Sequence, residues 1–77
     1  MRLNDLPVGR KACVLALRGG GEFQHRVLSM GLSIGCDVEV LHGDGGDSDG
    51  GAVIVRAGHT RLMLGHGMAE KVIVRPL

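Results

Sequence analysis

Arg26-Val27-Leu28-Ser29-Met30-Gly31-Leu32-Ser33-Ile34-Gly35, running directly into Cys36-Asp37-Val38-Glu39-Val40, changes its hydrophobic period partway along. Before Gly31, Phe23, Val27 and Met30 are spaced i, i+4, i+7 and share one face of a short helix. After Gly35, Val38 and Val40 alternate with Asp37 and Glu39, the period of a half-buried strand. Gly31 stands where a helix needs a left-handed residue just past its end, and Gly35 offers a second bend. A helix thus gives way to a strand within about five residues, a common length for connections in compact domains.

Other elements follow outward from this junction. Upstream, Gly19-Gly20-Gly21 precedes the helix, and Glu22 sits in the first turn, where negative charge suits the macrodipole. At about nine residues the helix is too short to persist alone, so packing of Phe23, Val27 and Met30 must hold it. Arg10 to Arg18 reads as the first strand; Cys13, Leu15 and Leu17 on one side and Val14 and Ala16 on the other predict cover on both faces. Leu3-Asn4-Asp5-Leu6-Pro7-Val8-Gly9 is a lead-in with a turn, whose Leu3 and Leu6 are expected to tuck against the body. Downstream, Val38–Leu41, Ala52–Ala57 and Thr60–Leu64 read as strands, the last two joined by the two-residue turn Gly58-His59, with Leu62 and Leu64 inward. A helical turn within Gly65–Lys71 contains Met68 and Ala69, and Val72-Ile73-Val74 is a fifth strand ended by Pro76. The expectation is an all-β single domain over residues 1–77. It is a small, strongly bent antiparallel β-barrel of about five strands, with one short α-helix after the first strand and a helical turn before the last.

The composition agrees and narrows the function classes. A chain of 77 residues makes one small domain, with too little interior for a second core or a deep cleft. With no Trp or Tyr and a single Phe, its core must be aliphatic. The net charge of +1 comes from nine basic and eight acidic residues with no basic block or aromatic platform, which argues against nucleic-acid binding. Cys13 and Cys36 form no CxxC, and read as core or near-core thiols of a reduced, cytoplasmic protein. The longest apolar run, Ala12 to Leu17, is far too short to cross a bilayer, so no membrane insertion is expected.

Four features could carry chemistry. Gly19-Gly20-Gly21 resembles a phosphate loop only superficially, because Glu22-Phe23 replaces the required Lys-Ser/Thr and a carboxylate would repel phosphate. Gly43 to Gly51 contains Asp44, Asp47 and Asp49, but in an EF-hand register the first and last ligand positions are Gly45 and Arg56. It reads as a flexible, solvated hairpin loop. His25, His42, His59 and His66 lack HxH, HExxH or finger spacing. His59 and His66 are weak metal candidates, at opposite ends of the fourth strand and about 20 Å apart. No cofactor is expected, beyond adventitious or dimer-bridging zinc at surface histidines. Ser29, Ser33 and Ser48 are in no nucleophile-elbow context, and the chain is not expected to be an enzyme.

The opening residues resemble the FeoA family of the bacterial ferrous iron uptake system, and the similarity covers nearly the whole chain. Leu3-x-x-Leu6-x-x-Gly9 is similar to the family's N-terminal segment, and Arg26 to Gly35 to its central helix-to-strand signature. Gly58, Arg61-Leu62-Met63-Leu64 and Met68-Ala69-Glu70-x-Val72-x-Val74 match the C-terminal half. Family members often carry Pro-Leu-Gly-Asp-Pro after the second strand, where this chain has Gly43 to Gly51. The resemblance implies an SH3-like barrel and a partner, the membrane GTPase transporter FeoB, acting at the cytoplasmic side of the inner membrane. The expected contact surface is the helix and adjoining turn, with Arg26, Leu28 and Leu32 as candidate residues; the alternative for both leucines is completion of the core. A weak homo-oligomer is left open. A reading from another class is a metal-sensing or transition-metal-binding module, akin to the SH3-like C-terminal domain of iron-dependent repressors. It would place Fe(II) or Zn(II) on His59 or His66.

Overall fold

The computed structural model describes residues 1–43 and 52–77, with His66 described in its backbone only. The reading of Gly43 to Gly51 as a solvated loop therefore falls, from Asp44 onward, outside the described residues. A 3-10 turn at Leu3–Asp5 leads into β1 (Lys11–Leu17), followed by α1 (Gly21–Ser29) and β2 (Asp37–His42). β3 (Val53–Ala57) and β4 (Thr60–Leu64) form a hairpin, α2 (His66–Ala69) is a single turn, and β5 (Val72–Pro76) completes the chain. All five strands pair antiparallel in one sheet of order β4-β3-β2-β1-β5.

The helix-to-strand junction is a set of backbone hydrogen bonds. The Leu32 N–H donates to the Val27 carbonyl at 3.2 Å and the Gly31 N–H to the Leu28 carbonyl at 3.0 Å. This pair is a Schellman cap, and it requires the residue after the C-cap to be left-handed; Gly31 has φ +106°. Leu32 and Val27, the two residues joined by the longer bond, are both fully buried, which supplies the apolar contact that accompanies such caps. Gly35, at φ +93°, then presents its N–H to the Val14 carbonyl at 2.8 Å, while the Val14 N–H donates to Cys36 at 2.9 Å. The junction is thereby clamped to the middle of β1.

That clamp coincides with a bulge in β1. The register to β5 steps between Val14↔Val74 and Ala16↔Ile73, so one extra residue, Leu15, is inserted. The inward set runs Ala12, Val14 and then Leu17, and Leu15 is 47 % exposed. The expected cover on both faces, with Cys13, Leu15 and Leu17 on a common side, is corrected accordingly. A period-2 reading fails at a bulge because one inserted residue reverses every side chain beyond it. The cysteines fall on opposite faces: Cys13 lies between inward Ala12 and Val14, whereas Cys36 packs against the core. Both are free and half-buried.

The sheet is not closed into a full barrel, because β4 and β5 do not pair. The outer edge of β5 is taken instead by the N-terminus: Arg2 bridges Ile73, and the Val74 N–H donates to the Met1 carbonyl at 2.7 Å. The turn of α2 spans the gap between β4 and β5, with Ala69 fully buried beneath it. Leu3 and Leu6 are buried as expected, and the core is entirely aliphatic, with Val38, Val40, Val53, Val55, Leu62 and Leu64 at its centre. Phe23 and Met30 pack against it from α1.

Backbone conformation, not contact, makes Gly31 irreplaceable: an added Cβ would meet only Thr60, at an ordinary 3.7 Å. Gly31→Ala should therefore cost about 1–2 kcal/mol from the left-handed backbone alone. In a domain of this size that lowers the melting temperature by about 4–8 °C per kcal/mol. Gly21→Ala, in the first turn of α1 where a Cβ meets nothing, should stabilise by about 0.4–1 kcal/mol. Thermal melts of the two variants, moving in opposite directions, check the assignment.

Candidate functional site

A groove of about 370 Å³ lies between α1 and α2. It is lined by Gly20, Glu22, Phe23, Arg26, Met68 and Lys71. Phe23 and Met68 are half-buried against the core and form its apolar floor. Glu22, Arg26 and Lys71 are exposed around it, giving an apolar floor with a rim that carries two cations and one anion. The Lys71 ammonium lies 5.3 Å from the centre of the Phe23 ring, within cation–π range.

The chain places these groups through local constraints. An added Cβ at Gly19 would meet Phe23 Cδ2 at 2.6 Å, so the glycine is what allows the ring to lie against the backbone. The Gln24 side-chain amide donates to the Leu17 carbonyl at 3.2 Å and to the Gly19 carbonyl at 3.1 Å, tying the start of α1 to the end of β1. These bonds satisfy carbonyls that the glycine loop would otherwise leave to solvent. Of the three consecutive glycines, Gly19 has a steric role; Gly20 and Gly21 face open space. Neither the Gln24 bonds nor the Lys71–Phe23 contact has a sequence signal, since both join residues whose proximity the fold creates.

The residues expected at a contact surface separate in the structure. Arg26 is exposed, in the last turn of α1, and has no ion-pair partner among the described residues. Leu28 is 49 % exposed, whereas Leu32 has no exposed surface. Leu32 belongs to the core, held there by the cap that fixes its N–H on Val27, and it cannot present itself to a partner. Nor are Arg26 and Leu28 neighbours: two helical positions apart, they point about 160° away from each other. Arg26 borders the groove, and Leu28 faces the opposite flank. The outward arc between them carries His25 and Ser29, both exposed.

A second, smaller depression of about 240 Å³ lies on the outer face of the sheet, lined by Lys11, Asp37, Glu39 and Arg56 among others. There an Arg56 guanidinium N–H donates to Glu39 at 2.7 Å across β2 and β3. These opposite charges neutralise one another. His25, His42 and His59 are exposed, His59 in the β3–β4 turn and His66 at the start of α2. Among the described residues no three His, Cys, Asp or Glu side chains are grouped so as to hold a metal ion. No helix of the described chain is long and apolar enough to cross a membrane.

The partition of α1 has a direct test in stability. Leu32→Ala should cost about 2–5 kcal/mol, as expected for a buried leucine. Leu28→Asp should stay within about 0.5 kcal/mol of wild type. Urea denaturation of both variants would reverse the assignment if Leu28 proved the more costly.

The FeoA domain model matches residues 1–76. Among solved structures, an iron uptake regulatory protein (FeoA) superposes with a TM-score of 0.88 at 31% identity, covering 100% of this chain and 97% of the other. FeoA of Stenotrophomonas maltophilia complexed with zinc, described as a procaryotic SH3 domain protein and put forward as a bacterial ferrous iron transport activating factor, gives a TM-score of 0.78 at 26% identity, covering 96% and 88%. A manganese-dependent transcriptional repressor gives 0.86 at 19% identity, with this chain matching 41% of its length, a likeness of fold alone. No curated protein sequence matches the chain.

Proposed function

The chain belongs to the FeoA family, small SH3-like domains associated with ferrous iron transport, and from that membership we propose that it is an accessory protein of bacterial ferrous iron uptake. It acts as a protein-interaction module on the cytosolic part of a FeoB-like membrane GTPase transporter. It works in the cytoplasm and reaches the inner membrane through that partner. Zinc enters only as an adventitious or dimer-bridging ion at surface histidines.

The observation that carries this reading is the outward face of α1. It is bounded by Arg26, exposed and without an ion-pair partner among the described residues, beside an apolar-floored groove, and by an exposed Leu28. Arginine and large apolar side chains on a rigid helix are the residue types that anchor protein interfaces. The groove is too open to exclude water from a reaction, which suits docking better than catalysis. The repressor likeness gives no separate support to a metal-sensing role, because at 19% identity it rests on the fold alone.

Because Arg26 and Leu28 lie on opposite flanks, single variants can divide the surface. Titration calorimetry against the cytosolic domain of a FeoB-like transporter, with and without guanine nucleotide, should show binding. Arg26→Glu should weaken it about 10-fold or more, equivalent to about 1.4 kcal/mol, if the groove flank is engaged. Leu28→Asp tests the other flank in the same way. Both variants should keep the wild-type melting temperature, and wild-type affinity in both would exclude α1 as the contact.

A further inference from the structure

The two edges of the sheet are treated differently. The edge of β5 is occupied by Met1 and Arg2, whereas the outer edge of β4 has no backbone partner among the described residues. The β3–β4 register identifies which groups that leaves unpaired. A two-residue hairpin makes Ala57↔Thr60 a hydrogen-bonded pair, so Leu62 and Leu64 also bond inward to β3. The N–H and C=O groups of Arg61 and Met63 therefore point away from the sheet. The Gly65 N–H continues the series, while its carbonyl is occupied by Met68 and Ala69.

Met63, on the same strand, is 63 % exposed, more than any other large apolar side chain of the described chain. It lies beside half-buried Ile54 on the outer face, its direct cross-strand partner. An unpaired strand edge carrying its most exposed apolar residue is a template for strand addition. We propose that β4 is a self-association edge, pairing antiparallel with β4 of a second copy of this chain about a two-fold axis through Met63.

Charge and side-chain pairing fix the register in which a second copy fits this edge. The unpaired backbone groups allow pairing only between odd-numbered residues. Centring on Arg61 would set two guanidiniums directly opposite each other, which is repulsive. Centring on Leu62 would oppose Met63 to Arg61 and keep the two arginines diagonal neighbours. Centring on Met63 sets thioether against thioether, extends the apolar strip through both Ile54 side chains and moves the arginines farthest apart. In that register the two Met63 residues exchange both backbone bonds, and each Gly65 N–H reaches the Arg61 carbonyl across the axis. The contact is isologous and closes on itself, so it yields a dimer and no filament. It lies on the sheet edge and does not depend on the role given above to α1.

The test joins sedimentation to cross-linking. Wild-type protein, with chelator present to remove bridging metal, should shift from monomer to dimer mass between micromolar and millimolar concentration. Met63→Pro removes only an outward N–H, a position where an edge strand tolerates proline, so the variant should stay folded and monomeric. In a Cys13→Ser, Cys36→Ser background, Met63→Cys should form an intermolecular disulfide on mild oxidation, because a hydrogen-bonded pair sets the two Cα atoms about 5.5 Å apart. Arg61→Cys should cross-link at least about 10-fold less, since its partner position is Gly65. A wild-type monomer at millimolar concentration, or equal cross-linking at positions 61 and 63, would overturn the proposal. Binding of Met63→Pro to the isolated cytosolic domain, which offers a single site, is expected to match wild type, so failure here and failure of the α1 reading give different results.

Discussion

The organisation of this domain depends on two left-handed glycines four residues apart. Gly31 lets the chain leave α1 with its final carbonyls satisfied, and Gly35 returns it to β1 with an N–H aimed at Val14. Between them Leu32 is driven into the core, where it meets Val27. A nine-residue helix has little stability of its own, so its position is set by this C-terminal lock and by the Gln24 bonds at its other end. Everything on the outer face of α1 inherits its orientation from those two attachments.

The same lock sets the shape of β1. Where Gly35 and Cys36 bond to Val14, the pairing with β5 gains Leu15 as an extra residue. Bulges bend the bulged strand and increase its twist, and a five-stranded sheet must bend strongly to wrap a core this small. Leu15 is left facing solvent, its exposure a consequence of the bend. With the sheet bent but not closed, both outer strands keep an edge. The N-terminal residues cover one of them, which is why a lead-in that looks dispensable in sequence contributes buried Leu3 and Leu6 and a bridge to Ile73.

Much of this fold can be read from the residues alone, and the failures have physical causes. Period and glycine placement locate α1, its cap, the hairpin turn and all five strands, because each leaves a local signature. The faces of β1 cannot be read, since a bulge is decided by a partner strand some sixty residues away. Barrel closure cannot be read either: whether β4 meets β5 depends on what else reaches the β5 edge. At the site, the helical wheel identifies Phe23, Val27 and Met30 as the packed face. It leaves Leu28 and Leu32 undecided, because Leu32 lies past the helix end where the wheel no longer applies. The cap hydrogen bond, not the periodicity, buries it. Arg26 is legible as exposed, but its neighbours Met68 and Lys71 are brought by α2 and the chain that follows, and no spacing links them to it.

An aliphatic core has a further consequence for how such a chain can recognise anything. With one Phe and no Trp or Tyr, the surface has few rigid aromatic anchors, and that single ring is committed to the groove floor beneath Lys71. Recognition must therefore come from backbone edges, arginines and flexible apolar side chains. Methionine and leucine adapt to a partner's shape but lose more side-chain freedom on binding than aromatic rings, which weakens each contact. Affinity built from such groups is modest unless a second interaction adds to it. A dimer through β4 would supply one, by presenting two copies of α1 on a single rigid body. Two weak contacts held together dissociate far more slowly than either alone, provided the partner offers two sites at the matching separation. The sparse aromatic content and the open strand edge are in this sense connected: a module with few anchors gains most from being presented twice.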